Sequence, residues 1–158
     1  MDKYQTLLGI SELNGACAET LDNNELESWP RFFSDDCLYV VTSRDNRRAG
    51  RDMGVIYCNT KGMLNDRVLA LRKANVFEGQ HYRHILSVPT RVRSQADRSI
   101  RADTSFAVFR IMRDGRTSLF MTGIYEDVLL PTDDGFLIKE RIVVCDSSLF
   151  DTLLAIPL

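Results

Sequence analysis

Histidine is the scarcest chemistry-bearing residue of this chain, with two among 158 residues, His81 and His84. The four cysteines, Cys17, Cys37, Cys58 and Cys145, form no CxxC or CxH pair, so zinc and iron–sulfur readings lack support. There is no GxSxG nucleophile turn and no phosphate-cradling GxGxxG or GxxxxGK(S/T), and the nine glycines fall mainly at turns. No apolar run reaches membrane-spanning length, and no basic stretch followed by an apolar segment opens the chain. The expectation is a cytoplasmic protein with reduced, mostly buried thiols. A net charge of −2 supplies no field for nucleic acid or anionic lipid.

What is present has the balance of a soluble globular chain, 44% hydrophobic and 27% charged, and the length fits one domain over residues 1–158. The basic residues are sixteen Arg and only four Lys. Arginine suits bidentate and interfacial ion pairs, although Arg-rich codon usage gives the same bias.

From Tyr4 to Leu21 the apolar positions Leu7, Ile10, Leu13, Cys17 and Leu21 make one helical stripe. Asp22, Asn23 and Asn24 stop it and offer a new N-cap, and Leu26, Trp29 and Phe33 follow on a second helix that Pro30 keeps short. Cys37–Thr42 reads as a strand, Ser43–Asp52 as a charged connection, and Met53–Cys58 as another short strand. Thr60 caps a helix carrying Leu64, Val68, Leu71 and Asn75.

The second half alternates with period two. His84–Val92 reads as a strand with Leu86, Val88, Thr90 and Val92 on one face. Arg98–Arg113 places Ile100, Ala102, Thr104, Phe106, Val108 and Met112 on one side. Asp114-Gly115 and Asp134-Gly135 are hairpin signals flanking the strand Thr117–Leu130. The last strand reads Phe136, Ile138, Glu140, Ile142, Val144 along one face. Helices followed by an antiparallel meander predict an α+β fold, with the helices on one face of a strongly curved, cone-forming sheet.

Two groups of residues carry candidate chemistry. His81 or His84 could act as a base oriented by Asp103, Glu126 or Asp127 in a cone pocket, or could simply hold a strand end by hydrogen bonds. Arg44, Arg47, Arg48 and Arg51 crowd one connection beside Asp45 and Asp52, which suits a solvated loop or a charged subunit contact.

Three segments, WPRFFSDDCLYVVTSRDN (29–46), MLNDRVLALRKANVFEGQHYRHIL (63–86) and ERIVVCDSSLFDTLLAIPL (140–158), resemble the small, or beta, subunits of Rieske aromatic-ring-hydroxylating oxygenases. The likeness covers nearly the whole chain and lies closest to the branch acting on aromatic carboxylates such as terephthalate, salicylate and anthranilate. It implies a nuclear transport factor 2-like cone and a non-catalytic, structural subunit of a dioxygenase in aromatic compound catabolism. The implied partner is a large subunit, in a hexamer of three large and three small chains. A Rieske [2Fe–2S] cluster and a mononuclear iron are expected in that large subunit, with no cofactor, metal or catalytic residue here. The residues agree, since both metal sites together need four histidines and this chain has two. The rival is a free-standing cone-fold isomerase, dehydratase or cyclase using a His–carboxylate pair.

Alternation also bears on assembly. Phe109, Ile111, Phe120, Ile124 and Val128 cannot all face the core that Phe106 and Val108 face, so an outer apolar surface is expected between small subunits around a three-fold axis. Phe109 and Phe120 are thus candidate interface residues. Arg44, Arg47, Arg48 and Arg51, or His81, Arg83 and His84, are the candidates for the contact with the large subunit.

Overall fold

Helix α1 (Lys3–Asp22) starts where Asp2 accepts hydrogen bonds from the Tyr4 and Gln5 amides while the Gln5 side chain accepts from the Asp2 N–H, a reciprocal cap. The computed structural model describes residues 2–51, 54–74, 79–150 and 156–158; the expectations for Asp52, Met53 and Asn75 lie outside them. The buried stripe of α1 is Ile10, Asn14, Cys17 and Leu21. It matches the expected helix face but admits one polar residue.

Asn24 then takes a left-handed conformation (φ 59°), and a 3-10 helix (Leu26–Phe32) follows with Pro30 inside it and no side-chain cap at Glu25. Trp29, Phe33 and Tyr39 meet edge to face, with centroids 5.1–5.9 Å apart, and anchor the start of the sheet.

The sheet has seven strands: β1 (Phe33–Ser43), β2 (Ile56–Cys58), β3 (Gln80–Leu86), β4 (Thr90–Ser94), β5 (Ile100–Met112), β6 (Thr117–Thr132) and β7 (Gly135–Cys145), in the order β2-β1-β7-β6-β5-β3 with β4 beside the other end of β5. Helix α2 (Arg44–Arg48) follows β1, and α3 (Lys61–Ala74) follows β2, its Met63 amide bonded to the Thr60 hydroxyl as expected. Gly115 (φ 88°) and Gly135 (φ 138°) supply the positive φ that the two Asp-Gly hairpins need.

Four sequence expectations need correction. The sheet is mixed, because β1 runs parallel to β7 through Leu38↔Glu140 to Ser43↔Cys145. Residues 84–92 are not one strand. Pro89 has no N–H to give, β3 ends at Leu86, and Val88 is exposed. The charged connection holds the α2 turn, capped by the Ser43 hydroxyl on the Asn46 amide.

The fourth correction is to the last strand, which does not keep one face. Val128 pairs with Glu140 but Leu129 with Ile138, so Lys139 is an extra residue. This bulge turns Arg141, Val143 and Cys145 inward beyond Phe136 and Ile138, and sends Glu140, Ile142 and Val144 outward.

Helices α1 and α3 and the 3-10 helix cover the inner, concave face, and one continuous core runs from Ile10 through Tyr82, Phe106 and Tyr125 to Leu158. The tail closes into it, where the Tyr39 hydroxyl donates to the Leu158 carbonyl at 3.0 Å and accepts from the Leu158 N–H at 3.1 Å. Among the described residues no helix is long and apolar enough to cross a membrane.

Candidate functional site

The middle of the concave face, where a cone-fold enzyme would place its chemistry, holds a buried ion pair. Arg141 donates from Nε to Asp127 Oδ1 at 2.8 Å and from Nη2 to Asp127 Oδ2 at 2.7 Å, with side-chain exposures of 3% and 0%. Nη2 also donates to Asn14 Oδ1, and Asn14 in turn donates to Thr104 Oγ1 at 3.1 Å. Nη1 lies 3.7 Å from Cys17 Sγ. The guanidinium carbon sits 4.3 Å from the centroid of Tyr125, whose other face stacks on Phe106 at 4.6 Å.

Each guanidinium nitrogen therefore meets an oxygen or a sulfur, and the face of the group rests on a ring. Burial pushes the Cys17 thiol and the Tyr125 hydroxyl upward, and the nearby guanidinium only partly opposes this. The interior is filled rather than open, with a mutually neutralised ion pair set among apolar side chains. Asp127, a candidate base-orienting carboxylate, is fully engaged by Arg141 and is not available to a histidine.

The two histidines part company. His84 is buried, its Nδ1 is 2.6 Å from Asp22 Oδ1, and its backbone N–H donates to Asp22 Oδ2 at 3.0 Å. Asp22 ends α1, where the helix dipole disfavours a carboxylate; His84 and the Arg83 guanidinium, 3.8 Å away, offset this. The pair ties the helix end to the edge strand β3. His84 Nε2 is buried and has no hydrogen-bond partner among the described residues. The expected carboxylate partners of His84 are thus replaced by Asp22, and a residue with no exposed side chain presents nothing to another subunit.

His81, three residues earlier on the same strand, is exposed and lies opposite Ile111 on the outer face. Asp103 faces outward and binds Arg91 at 3.0 Å, and burial raises its carboxyl against that pairing. Among the described residues no three His, Cys, Asp or Glu side chains converge to hold a metal ion. The donor set does not fit a Rieske cluster or a facial-triad iron, because one of its two histidines is committed to Asp22 and the other sits on the opposite face.

The arginine connection lies against the outer face of the sheet. Arg47 donates from Nε and Nη2 to Glu126 Oε2 at 2.9 and 2.6 Å, and Arg44 reaches Asp146 at 2.6 Å. Arg48 and Arg51 are exposed, and Arg83 is 63% exposed. These charges are all on the surface.

On the same face, Phe109, Ile111 and Ile124 are half-buried, while Ile85 and Leu119 are 55% and 58% exposed. Phe120 departs from its expected place. Val108 pairs with Met121 but Phe109 with Leu119, so Phe120 is a bulged residue turned to the inner side. There it stacks on Tyr82 at 5.2 Å beneath Arg110. Leu119 takes the outer position instead. Val128 is also covered, at 8% exposed.

Sequence reasoning missed Arg141, Asn14 and Asp22. Strict alternation puts Arg141 on the face opposite Ile138, and only the bulge at Lys139 turns both inward. Asn14 interrupts the apolar stripe of α1, and nothing local marks it as the partner of a strand over a hundred residues away.

Three comparisons bear on what this arrangement serves. The sequence pattern of the ring hydroxylating beta subunit family matches residues 16–152. The chain is 43% identical over 149 residues to the terephthalate 1,2-dioxygenase terminal oxygenase component subunit beta 2 of a Comamonas species, covering 94% of this chain and 96% of that one. It is 36% identical to the anthranilate 1,2-dioxygenase small subunit of Burkholderia cepacia, covering 87% and 85%. Among solved structures, a beta subunit assigned to an aromatic-ring-hydroxylating dioxygenase of Novosphingobium aromaticivorans superposes with a TM-score of 0.85 at 37% identity, covering 95% of both chains.

Proposed function

Because the chain belongs to the ring hydroxylating beta subunit family, we propose that it is the structural small subunit of a Rieske terminal oxygenase whose substrate is an aromatic carboxylate of the terephthalate kind. The observation that carries this reading is the end-to-end match to beta subunits. The interior supports it, because Arg141 and Asp127 occupy the cone centre with each other. The Rieske [2Fe–2S] cluster and the mononuclear iron belong to the large subunit, and this chain contributes fold and contact surface. The chain is one domain and works in the cytoplasm.

Three small and three large subunits make the assembly. Phe109, Ile111 and Leu119 on the outer sheet face meet their copies around a three-fold axis. The Arg44–Arg51 connection, or the His81–Arg83 end of β3, faces the large subunit.

Co-expression with the large subunit tests the proposal. A hexamer that oxygenates terephthalate, with all of its iron in the large subunit, is the expected result. Stoichiometric iron with turnover in the isolated small chain would refute it. A second reading, a free-standing cone-fold isomerase, dehydratase or cyclase, draws on one observation, the His84 Nε2, which is backed by Asp22 and has no partner among the described residues. It predicts that a small apolar or polar ligand shifts the His84 ring resonances of the isolated chain.

A further inference from the structure

The outer face of the sheet carries a cleft of about 370 Å³ beside α2. Leu38 of β1 and Ile142 of β7 make its floor, and Tyr57 on the edge strand β2 walls one side with half of its surface exposed. Three guanidinium groups and one carboxylate, Arg47, Arg51, Arg101 and Glu140, line the rest. Arg47 is pinned to Glu126 by two hydrogen bonds. Among the described residues, the Arg51 side chain reaches only the Asn46 side-chain oxygen, at 3.3 Å. Among the described residues, the side chains of Arg101 and Glu140 make no hydrogen bond or ion pair at all.

These features select among occupants. A free aromatic acid would gain from Arg51 and Arg101 but meet the unmatched Glu140 carboxylate. A nucleic acid or an anionic membrane needs a field of one sign, and here Asp103, Glu126 and Glu140 lie among the arginines on one sheet face. Unmatched charges of both signs over an aliphatic floor, with a tyrosine standing at the rim, are the composition of a protein interface, where Tyr and Arg anchor and charge pairs set register.

We propose that this cleft seats a segment of the large subunit that brings a carboxylate to Arg51 and Arg101 and a donor side chain to Glu140, and packs an apolar side chain on Tyr57. The proposal rests on the small-subunit reading above, and it places Tyr57 on the edge strand and Arg101, 50 residues beyond Arg51 in sequence, in the contact.

The test measures association of the full chain with its large subunit by sedimentation velocity, for the natural chain, Arg101→Glu, Arg51→Glu with Arg101→Glu, and Lys3→Glu on exposed α1 as a control. Thermal melts check that each variant folds. Arg101→Glu is expected to weaken association about tenfold or more, and the double variant further. Lys3→Glu is expected to leave it unchanged. A hexamer that forms with unaltered affinity in the double variant overturns the docking site while leaving the small-subunit reading intact. Loss of contact between small subunits with retained binding to the large one also overturns it. So does terephthalate shifting the Arg101 and Tyr57 resonances of the free chain while the variants keep their affinity for the large subunit. Failure of even the natural chain to associate removes the reading itself, and the docking site with it.

Discussion

The buried Arg141–Asp127 pair gives a sharp energetic test. Asp127→Leu leaves a guanidinium with 3% side-chain exposure and no counter-ion, and Arg141→Met leaves a carboxylate with no exposure and no cation. Removing one member of a buried pair costs about 3–5 kcal/mol, because the remaining charge keeps its desolvation penalty and loses its counter-ion. At about 2–4 °C per kcal/mol for a chain of this size, each single variant should melt roughly 6–20 °C lower. Arg141→Met combined with Asp127→Leu removes both charges and keeps most of the volume under Tyr125. It should fall within about 2 kcal/mol of the natural chain, since apolar replacement of a whole buried pair is often neutral. Asn14 loses one acceptor interaction in that variant but retains its bond to Thr104. Urea denaturation of the purified chain, followed by circular dichroism, measures all four members of the cycle. The reasoning fails if the double variant is destabilised by the sum of the single ones, because the charges would then be acting independently.

Three further outcomes follow from the same contacts. Gly123→Ala should destabilise by about 1–3 kcal/mol in thermal melts, because a Cβ there would lie 2.3 Å from the Val144 carbonyl oxygen and 2.9 Å from Phe106; an unchanged melting point would count against that packing. Arg72 binds Glu27 and Asn24, joining α3 to the 3-10 helix, and holds the Glu27 carboxyl down at about 2. A lowered carboxyl stabilises the fold above its unfolded value of 4.5 and loses that contribution as pH falls toward 2, so Arg72→Met should flatten the stability profile in that window and return the Glu27 titration, read by NMR, toward 4.5. Tyr39→Phe removes both hydrogen bonds to Leu158, and should cost about 1–3 kcal/mol and speed hydrogen exchange at the Leu158 amide.

Local signals in the sequence translated well. The α1 stripe, the Thr60 cap, the two Asp-Gly turns and the inner row of β5 from Ile100 to Val108 are set by residues a few positions apart, where periodicity and turn chemistry decide the structure. What was hidden depends on distant partners. Nothing within β1 shows that it runs parallel to β7, and the bulges at Phe120 and Lys139 follow from register against neighbouring strands. Each bulge adds one residue: the one in β6 takes Phe120 off the outer surface, and the one at Lys139 in β7 brings Arg141 into the cone. The arginine connection was legible as charged, yet its attachment to Glu126 across the sheet was not. His84 could be seen as a strand-fixing residue, but the carboxylate it uses comes from the end of α1, a pairing that only the packed fold brings together.

The parallel junction between β1 and β7 also sets a timetable for synthesis. Leu38 and its partner Glu140 are about a hundred residues apart in the chain, so at roughly 5–20 residues per second β1 leaves the ribosome some 5–20 s before the strand that completes its second edge. During that interval β1 can pair only with the three-residue β2, and its Tyr39–Val41 stretch has an open side. Contacts of such long sequence separation form slowly. The nascent chain therefore waits with an unpaired apolar edge, and its vulnerability to aggregation is concentrated at that edge until the last long strand arrives.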